Sequence, residues 1–518
     1  MDLATGKLIE AAIMVVWIIL ILGIGLWSRR KIKGSGDLMV GGRTIPVWML
    51  GMWSAGAAVS AWAFFGLPGG IYMSGAWQHW ALCTPMIIGF PLTVLIMGRW
   101  MRISAKKYNL QTLPDMLGEI YGGKWIRIFA AIGVLIGCVF YATAQFKAIG
   151  VLFGALFNLP YVTAAAIGIL ISMVYVLLGG FVAGAMINAL NVTMMMIASV
   201  LAVGIGYTWV GSYSNMLSTI AASPGGAAWL NQDAALGGMS WFFWISWGLI
   251  LASFGMTGQP GIVQKLYGVK KPSSLWLWGL LGGVIFGLTC PAYCFLGEVT
   301  KYLAILPGST VASEIANLGL GADGVIAWLT VNKLGVESPV LGGLLIAGVL
   351  GAAWSTIDGF LMMGGAAIAR DIVHKCFRPN WTDKQLLKYL RISMVGVGIL
   401  MVIETFFPAE IITWLAAIGW AQFAATLSPA LMMGVLWKGV TKKGGTAGVF
   451  VGLVVAAFLT FAFRIPWGTG PFMKTFYLDA GAWGFILGML TIFVVSLATK
   501  KERGPLYYDI HKDVPKPQ

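Results

Sequence analysis

The chain has 518 residues, of which 58% are hydrophobic and only 10% are Asp, Glu, Lys or Arg. Soluble domains carry about 25% charged residues, so this composition excludes a soluble enzyme, a disordered chain and a small disulfide-stapled secreted domain. The net charge of +15 is not a nucleic-acid signal, because the charges sit in short clusters between long uncharged stretches.

A membrane crossing needs roughly 20 apolar residues. Runs of that kind predict thirteen spans, at about 9–28, 46–73, 78–98, 127–157, 160–180, 182–212, 239–260, 274–299, 338–368, 391–407, 410–437, 445–463 and 480–499. The first run ends in Arg29-Arg30-Lys31 and lacks a small-residue cleavage pattern, so it reads as a retained span. Thirteen spans place the two termini on opposite sides. With the N-terminus outside, 28 Lys and Arg fall in inner loops and tail and five in outer loops. Basic loops stay cytoplasmic. The prediction is therefore a multi-pass protein of the cell (plasma or inner) membrane, N-terminus outside and C-terminus cytoplasmic. Its basic face then lies against the anionic lipid bilayer, which accounts for the charge without nucleic acid.

Several spans are not plain lipid-facing helices. The second runs Trp53-Ser54-Ala55-Gly56-Ala57-Ala58-Val59-Ser60-Ala61-Trp62 and then Gly66-Leu67-Pro68-Gly69-Gly70. The seventh carries Trp247-Gly248 and ends Thr257-Gly258-Gln259-Pro260-Gly261. Two interrupted spans about five spans apart are the pattern of an inverted-repeat transporter, in which opened backbone lines a cation or solute site. Small residues also serve plain helix packing. The ninth span holds Ala352-Ala353-Trp354-Ser355-Thr356-Ile357-Asp358. Hydroxyls and carbonyls are hard ligands suited to a hard cation; the alternative is that both hydroxyls bond back to their own helix. Asp358 is an acid in mid-span and marks a polar interior, whereas Glu298 and Glu404 read as interfacial. The fourth span carries Tyr141, Gln145 and Lys147, and the lysine either snorkels or faces the cavity and pairs with an anion. Trp62, Tyr141 and Trp247 fall where the broken spans would converge; the alternative for each is plain packing. The five cysteines, Cys83, Cys138, Cys290, Cys294 and Cys376, show no metal spacing or disulfide framework. The histidines are His79, His374 and His511; their scatter provides no catalytic cluster, so an enzyme is not expected.

Taken in order, Gly41-Gly42-Arg43, Gly66-Leu67-Pro68-Gly69, Leu113-Pro114-Asp115, Gly179-Gly180-Phe181, Gly258-Gln259-Pro260, Ser355-Thr356, Trp420-Ala421 through Pro429, Trp437 and Lys443-Gly444 give the chain a family likeness. It resembles the sodium/solute symporters over about residues 8–500 and is similar to their sodium/proline branch. The resemblance implies an all-α membrane protein of the leucine-transporter type, with five-plus-five inverted repeats and flanking helices. Its parts would be 1–45 (first flanking span and loop), 46–212 (repeat one), 239–437 (repeat two) and 438–518 (two flanking spans and a tail). It further implies sodium held by carbonyls of Gly56, Val59 and Ala352 with the hydroxyls of Ser355 and Thr356. Tyr141 and Trp247 match the aromatic positions against the solute, with Ser60 and Gln145 as further candidates.

Three departures bear on the solute. Ala58 stands where the proline branch has an aspartate. Asn188 and Asn191 stand where the family often has Asp and Gln after Gly-Gly-Phe. Lys147 adds a positive charge. The interior is thereby shifted toward positive, which favours an anionic or zwitterionic solute and a single sodium per solute. The expected function is sodium-coupled symport of a small carboxylate or amino acid by alternating access, with the solute occluded between Trp62, Tyr141 and Trp247. The alternatives are proton-coupled or ion-independent transport on the same fold, or a transport-like sensor.

Overall fold

The structure is a computed structural model that describes residues 2–231, 240–404, 412–463 and 478–514. Arg464, Lys474 and Lys516, and the side chain of His79, lie outside the described residues. Among the described residues, twelve helices are long and apolar enough to cross a membrane: α1 (Leu3–Lys31), α2 (Val47–Ser74), α3 (Ala81–Lys107), α4 (Lys124–Phe157), α5 (Tyr161–Val210), α6 (Trp241–Gly258), α7 (Pro272–Ile305), α8 (Pro339–Phe377), α9 (Asp383–Glu404), α10 (Leu415–Leu436), α11 (Lys442–Ala462) and α12 (Ala480–Leu497).

The difference from thirteen lies in α5. It has 50 residues, which at ~1.5 Å per residue is about 75 Å, more than twice a ~30 Å hydrocarbon core. Gly180 interrupts it with φ +53, at the junction of the fifth and sixth predicted spans. A Cβ at Gly180 would also lie 2.8 Å from Leu38 Cδ1. The Gly179-Gly180 pair therefore ends one span and starts the next with no loop between them. Predicted spans 1–4 correspond to α1–α4, spans 5 and 6 to α5, and spans 7–13 to α6–α12.

Burial separates centre from periphery. The most apolar stretches of α2 and α10 are 94% buried, and that of α1 only 28%. α2 packs against α5, α7 and α8, while α10 packs against α4, α12 and the end of α6. Small residues permit this: Gly51, Gly56, Ala57 and Ala58 let neighbours reach the α2 backbone, and a Cβ on Gly56 would meet Val192 Cγ2 at 2.7 Å. Exposed Leu8, Leu95 and Val200 lie on outward faces, as expected where the solvent is lipid.

Both predicted interruptions exist. In α2 the helix breaks at Ser60 (φ +47, ψ −175) and continues with a π-helical turn over Trp62–Gly66. The Gly66–Gly70 run is not the break, because Pro68 sits in the first turn of Leu67–Ser74, where proline is tolerated. In α6 a π-helical stretch, Trp244–Ser253, tightens to a 3-10 turn over Phe254–Gly258. Gln259 is then extended (φ −80, ψ 98) before Pro260–Val263.

Candidate solute and sodium site

The site is built around the break in α2. Ser60 leaves the helical conformation, so the N–H groups just beyond it need new acceptors. The Ala61 N–H donates to Gln145 Oε1 (2.7 Å). The Trp62 N–H donates to Ser60 Oγ (3.1 Å). Ser60 Oγ and Tyr141 Oη share a hydrogen bond of 3.2 Å. Gln145 Nε2 donates to the Tyr141 carbonyl (3.2 Å), which holds the amide in place. Ser60, Tyr141 and Gln145 thus join α2 to α4.

Aromatic rings surround this point. Trp62 lies 5.9 Å from Trp247 between ring centroids, Trp247 6.1 Å from Trp420, and Tyr141 6.4 Å from Trp420 and 5.0 Å from Phe360. Two indoles are fixed through their N–H groups, Trp247 to the Leu82 carbonyl (3.4 Å) and Trp420 to the Leu251 carbonyl (2.9 Å). Trp62, Tyr141 and Trp247 meet as the sequence suggests. Trp420 and Phe360 complete the walls and were not singled out as site residues; Trp420 lay within a family motif, but only the fold turns it inward.

On the other side of the break, Ser355 and Thr356 of α8 face α2. Ser355 Oγ donates to the Ala352 carbonyl (2.7 Å), and Thr356 Oγ1 to the same carbonyl (3.2 Å). Both hydroxyls therefore bond back to their own helix. Thr356 also approaches the Ala57 carbonyl at 3.5 Å, and a Cβ on Gly56 would lie 3.2 Å from Ser355 Oγ. A hydroxyl that donates its proton backward keeps its lone pairs for a cation. The Val59 carbonyl accepts the Trp62 N–H and retains its second lone pair. These oxygens have the hardness a sodium ion requires.

Behind them lies a buried polar network. The Asp358 carboxylate accepts from Asn188 Nδ2 (2.6 Å), from the Trp53 indole (3.2 Å) and from the Gly359 N–H (2.6 Å). Asn191 Nδ2 donates to Asn188 Oδ1 (3.3 Å). Lys265 sits over the Trp53 ring, 4.4 Å from its centroid, and donates to the Trp53 carbonyl (3.1 Å). The sequence placed Lys265 among the loop lysines of the basic face. The structure buries it completely, because the chain after the α6 break turns back against α2. Glu298 is likewise buried rather than interfacial.

Lys147 has an acidic partner within the protein. Its ammonium pairs with Asp323, between α7 and α8, at 2.9 Å, with the carboxylate side chain 1% exposed. The positive charge read as unmatched inside the protein is therefore matched by Asp323, which also accepts from the Ile412 N–H. Support for an anionic solute must come from elsewhere.

Residues 38–452 match the sodium:solute symporter family. The chain belongs to the sodium:solute symporter family. Relatives include the high-affinity proline transporter of Bacillus subtilis strain 168, 24% identical over 92% of this chain and 95% of that one. The sodium/proline symporter of Haemophilus influenzae is 25% identical over 94% of each chain. Among solved structures, a substrate-bound, outward-open Na+-coupled sialic acid symporter superposes with a TM-score of 0.75, at 15% identity over 96% of this chain and 99% of that one. MhsT in complex with L-phenylalanine gives 0.52, at 13% identity over 87% and 98%. These likenesses fix the fold as the five-plus-five, leucine-transporter type. The protein is a multi-pass sodium-coupled symporter of a small solute, Na+ is its coupling ion, and it is not an enzyme.

A buried set of ion pairs ties a short helix to α4 and α8. Asp115, in the short helix Leu113–Tyr121, binds Arg127 of α4 and Arg370 of α8, each at 2.7 Å. Thr112 accepts from the Asp115 N–H (3.1 Å) and donates to Asp371 (2.7 Å). Burial pushes the Asp115 carboxyl up, but the Arg370 and Arg127 guanidiniums outweigh it and hold the group at about 2. The cysteines, which show no ligand spacing along the chain, also converge: Cys83, Cys290 and Cys294 form one buried group. No local signal could have found it, because Cys83 comes from a different helix.

Proposed function

We propose that the symporter carries a small solute bearing a carboxylate, an amino acid in the first instance, into the cytoplasm. The observation that carries this reading is the pair of N–H groups at Ala61 and Trp62. They open the second half of α2 inside the aromatic box, where a helix N-terminus favours negative charge. Ala61 donates to the Gln145 amide oxygen, and Trp62 to the Ser60 hydroxyl and the Val59 carbonyl; the two side-chain acceptors are neutral oxygens that a carboxylate would replace. Trp62, Trp247, Trp420 and Tyr141 would enclose the apolar part. Relatives named as proline transporters make proline the first candidate. Ala58, standing where that branch has an aspartate, admits carboxylates without an amine as the next.

In this reading Ser60, Trp62, Tyr141, Gln145 and Trp247 bind the solute. The carbonyls of Gly56, Val59 and Ala352 and the hydroxyls of Ser355 and Thr356 bind sodium. Lys147 positions the box through Asp323 instead of touching the solute. Residues 46–212 and 239–437 are the two repeats. Sodium at the α2/α8 junction favours the outward-open form, and it biases that equilibrium only by binding one state better. The basic clusters put the N-terminus outside and the C-terminus in the cytoplasm, even with Lys265 removed from the count.

The test is melting of the purified protein against proline, other amino acids and simple carboxylates, in sodium and in choline. A ligand at about 100 times its Kd adds ~2.7 kcal/mol. Stabilisation by one carboxylate only in sodium is the expected result. Equal stabilisation in choline would remove the sodium assignment, and stabilisation by sugars alone would remove the carboxylate.

A further inference from the structure

Three of the five cysteines meet at one point between α3 and α7. Cys83 Sγ lies 2.7 Å from Cys290 Sγ and 3.7 Å from Cys294 Sγ, and the three sulfurs all fall within 4.8 Å of one another. Cys290 and Cys294 are one helical turn apart on α7, so both face the same neighbour. All three are buried. With metal–sulfur bonds of ~2.3 Å, trigonal ligands stand about 4.0 Å apart, and small rotations of these side chains reach that spacing. Among the described residues, no His, Asp or Glu joins the group. Three sulfurs with no fourth His, Cys or carboxylate among the described residues do not suit structural zinc, which takes four. It suits a soft, closed-shell monovalent cation, since thiolates select Cu(I) among biological metals.

We propose that Cys83, Cys290 and Cys294 form a trigonal site for Cu(I) or a chemically equivalent soft cation. The thiolate is the metal ligand, so binding breaks S–H bonds and releases their protons to the buffer; one such loss balances the cation's single charge. The oxidation state of metal and sulfur does not change.

The site is wired to the transport machinery on both sides. Leu82, next to Cys83, supplies the carbonyl that holds the Trp247 indole of α6. Tyr293, between Cys290 and Cys294, packs against Phe64 of the π-helical turn in α2, with ring centroids 4.0 Å apart. Occupancy ties α3 to α7 directly behind the walls of the solute box.

The experiment uses the full-length protein, reduced with a phosphine, desalted into nitrate buffer and loaded with Cu(I), or with Ag(I) as a redox-inert probe. A Cu(I) chelator is then titrated in, and metal per chain is read by mass spectrometry. Retention of one ion per chain is expected in wild type, in Cys138→Ser and in Cys376→Ser. Loss of an outer-shell partner already costs ~10–100-fold in metal affinity, so Cys83→Ser is expected to lose about 100-fold. Cys294→Ala is the second variant should Cys83→Ser fail to fold. Equal retention in the folded Cys83 or Cys294 variant, or no retention by the reduced wild type, overturns the proposal. So does a protein that retains no metal when reduced and instead loses two hydrogens between Cys83 and Cys290 when treated with a diazene oxidant, which would make the group a redox pair.

Discussion

Ser355 and Thr356 are the hydroxyls proposed above for sodium, and their adjacency in mid-span is visible in a single chain. Ser355→Ala removes one hard oxygen and leaves the helix intact. The half-saturating sodium concentration is expected to rise roughly tenfold, ~1.4 kcal/mol, measured from the sodium dependence of melting or uptake. Lys147 shows the limit of that kind of reading. Its partner Asp323 comes from a distant loop, so its charge looked unmatched. Removing either member leaves a buried ion alone, at a cost of ~3–5 kcal/mol. Lys147→Met and Asp323→Leu are each expected to lower the melting temperature sharply, and the double variant is expected to regain most of the loss. Additive losses would mean that the pair is not formed. Lys265 was misplaced for the same reason, since nothing in its neighbours along the chain announces Trp53 and Asp358.

The elements were largely legible because each carries its own signal. Span length fixed the helices, and Gly, Pro and Ser located the interruptions in α2 and α6. The break in α2 was placed only to within about four or five turns: two groups of small residues lie between Ser54 and Gly70, and the fold breaks the helix at Ser60. Gly180 is the clearest case of a residue that defines an element boundary. Its positive φ costs an L-residue ~1–2 kcal/mol, and a side chain there also meets Leu38. Gly180→Ala is expected to destabilise by at least that amount, read as loss of melting temperature in detergent. The short helix at Asp115 makes a pH prediction. Its folded value of about 2 lies below the ordinary ~3.9. Its stabilisation is therefore complete above about pH 4 and is lost as pH falls through about 2. Wild type is expected to lose melting temperature over that interval, and Asp115→Asn to lack this acid-side component while melting lower at neutral pH.

At the scale of the molecule, the distribution of charge predicts the orientation proposed above. Cys376, at the end of α8, is the one partly exposed cysteine of the five. A membrane-impermeant maleimide is expected to label it in inverted vesicles and not in intact cells, while the other four stay unmodified until unfolding. Labelling from outside would reverse the topology. The sequence by itself determined the solvent of this protein, the spans, their interruptions, the hydroxyl pair and the family likeness, because these depend on composition and on residues near one another in the chain. Only the tertiary structure decided that Lys147 belongs to Asp323, that Lys265 lies over Trp53, that Trp420 and Phe360 pack against Tyr141, and that three cysteines from two helices share one point. Those facts depend on which helix faces which, and side-chain packing between distant segments leaves no periodic trace along a single chain.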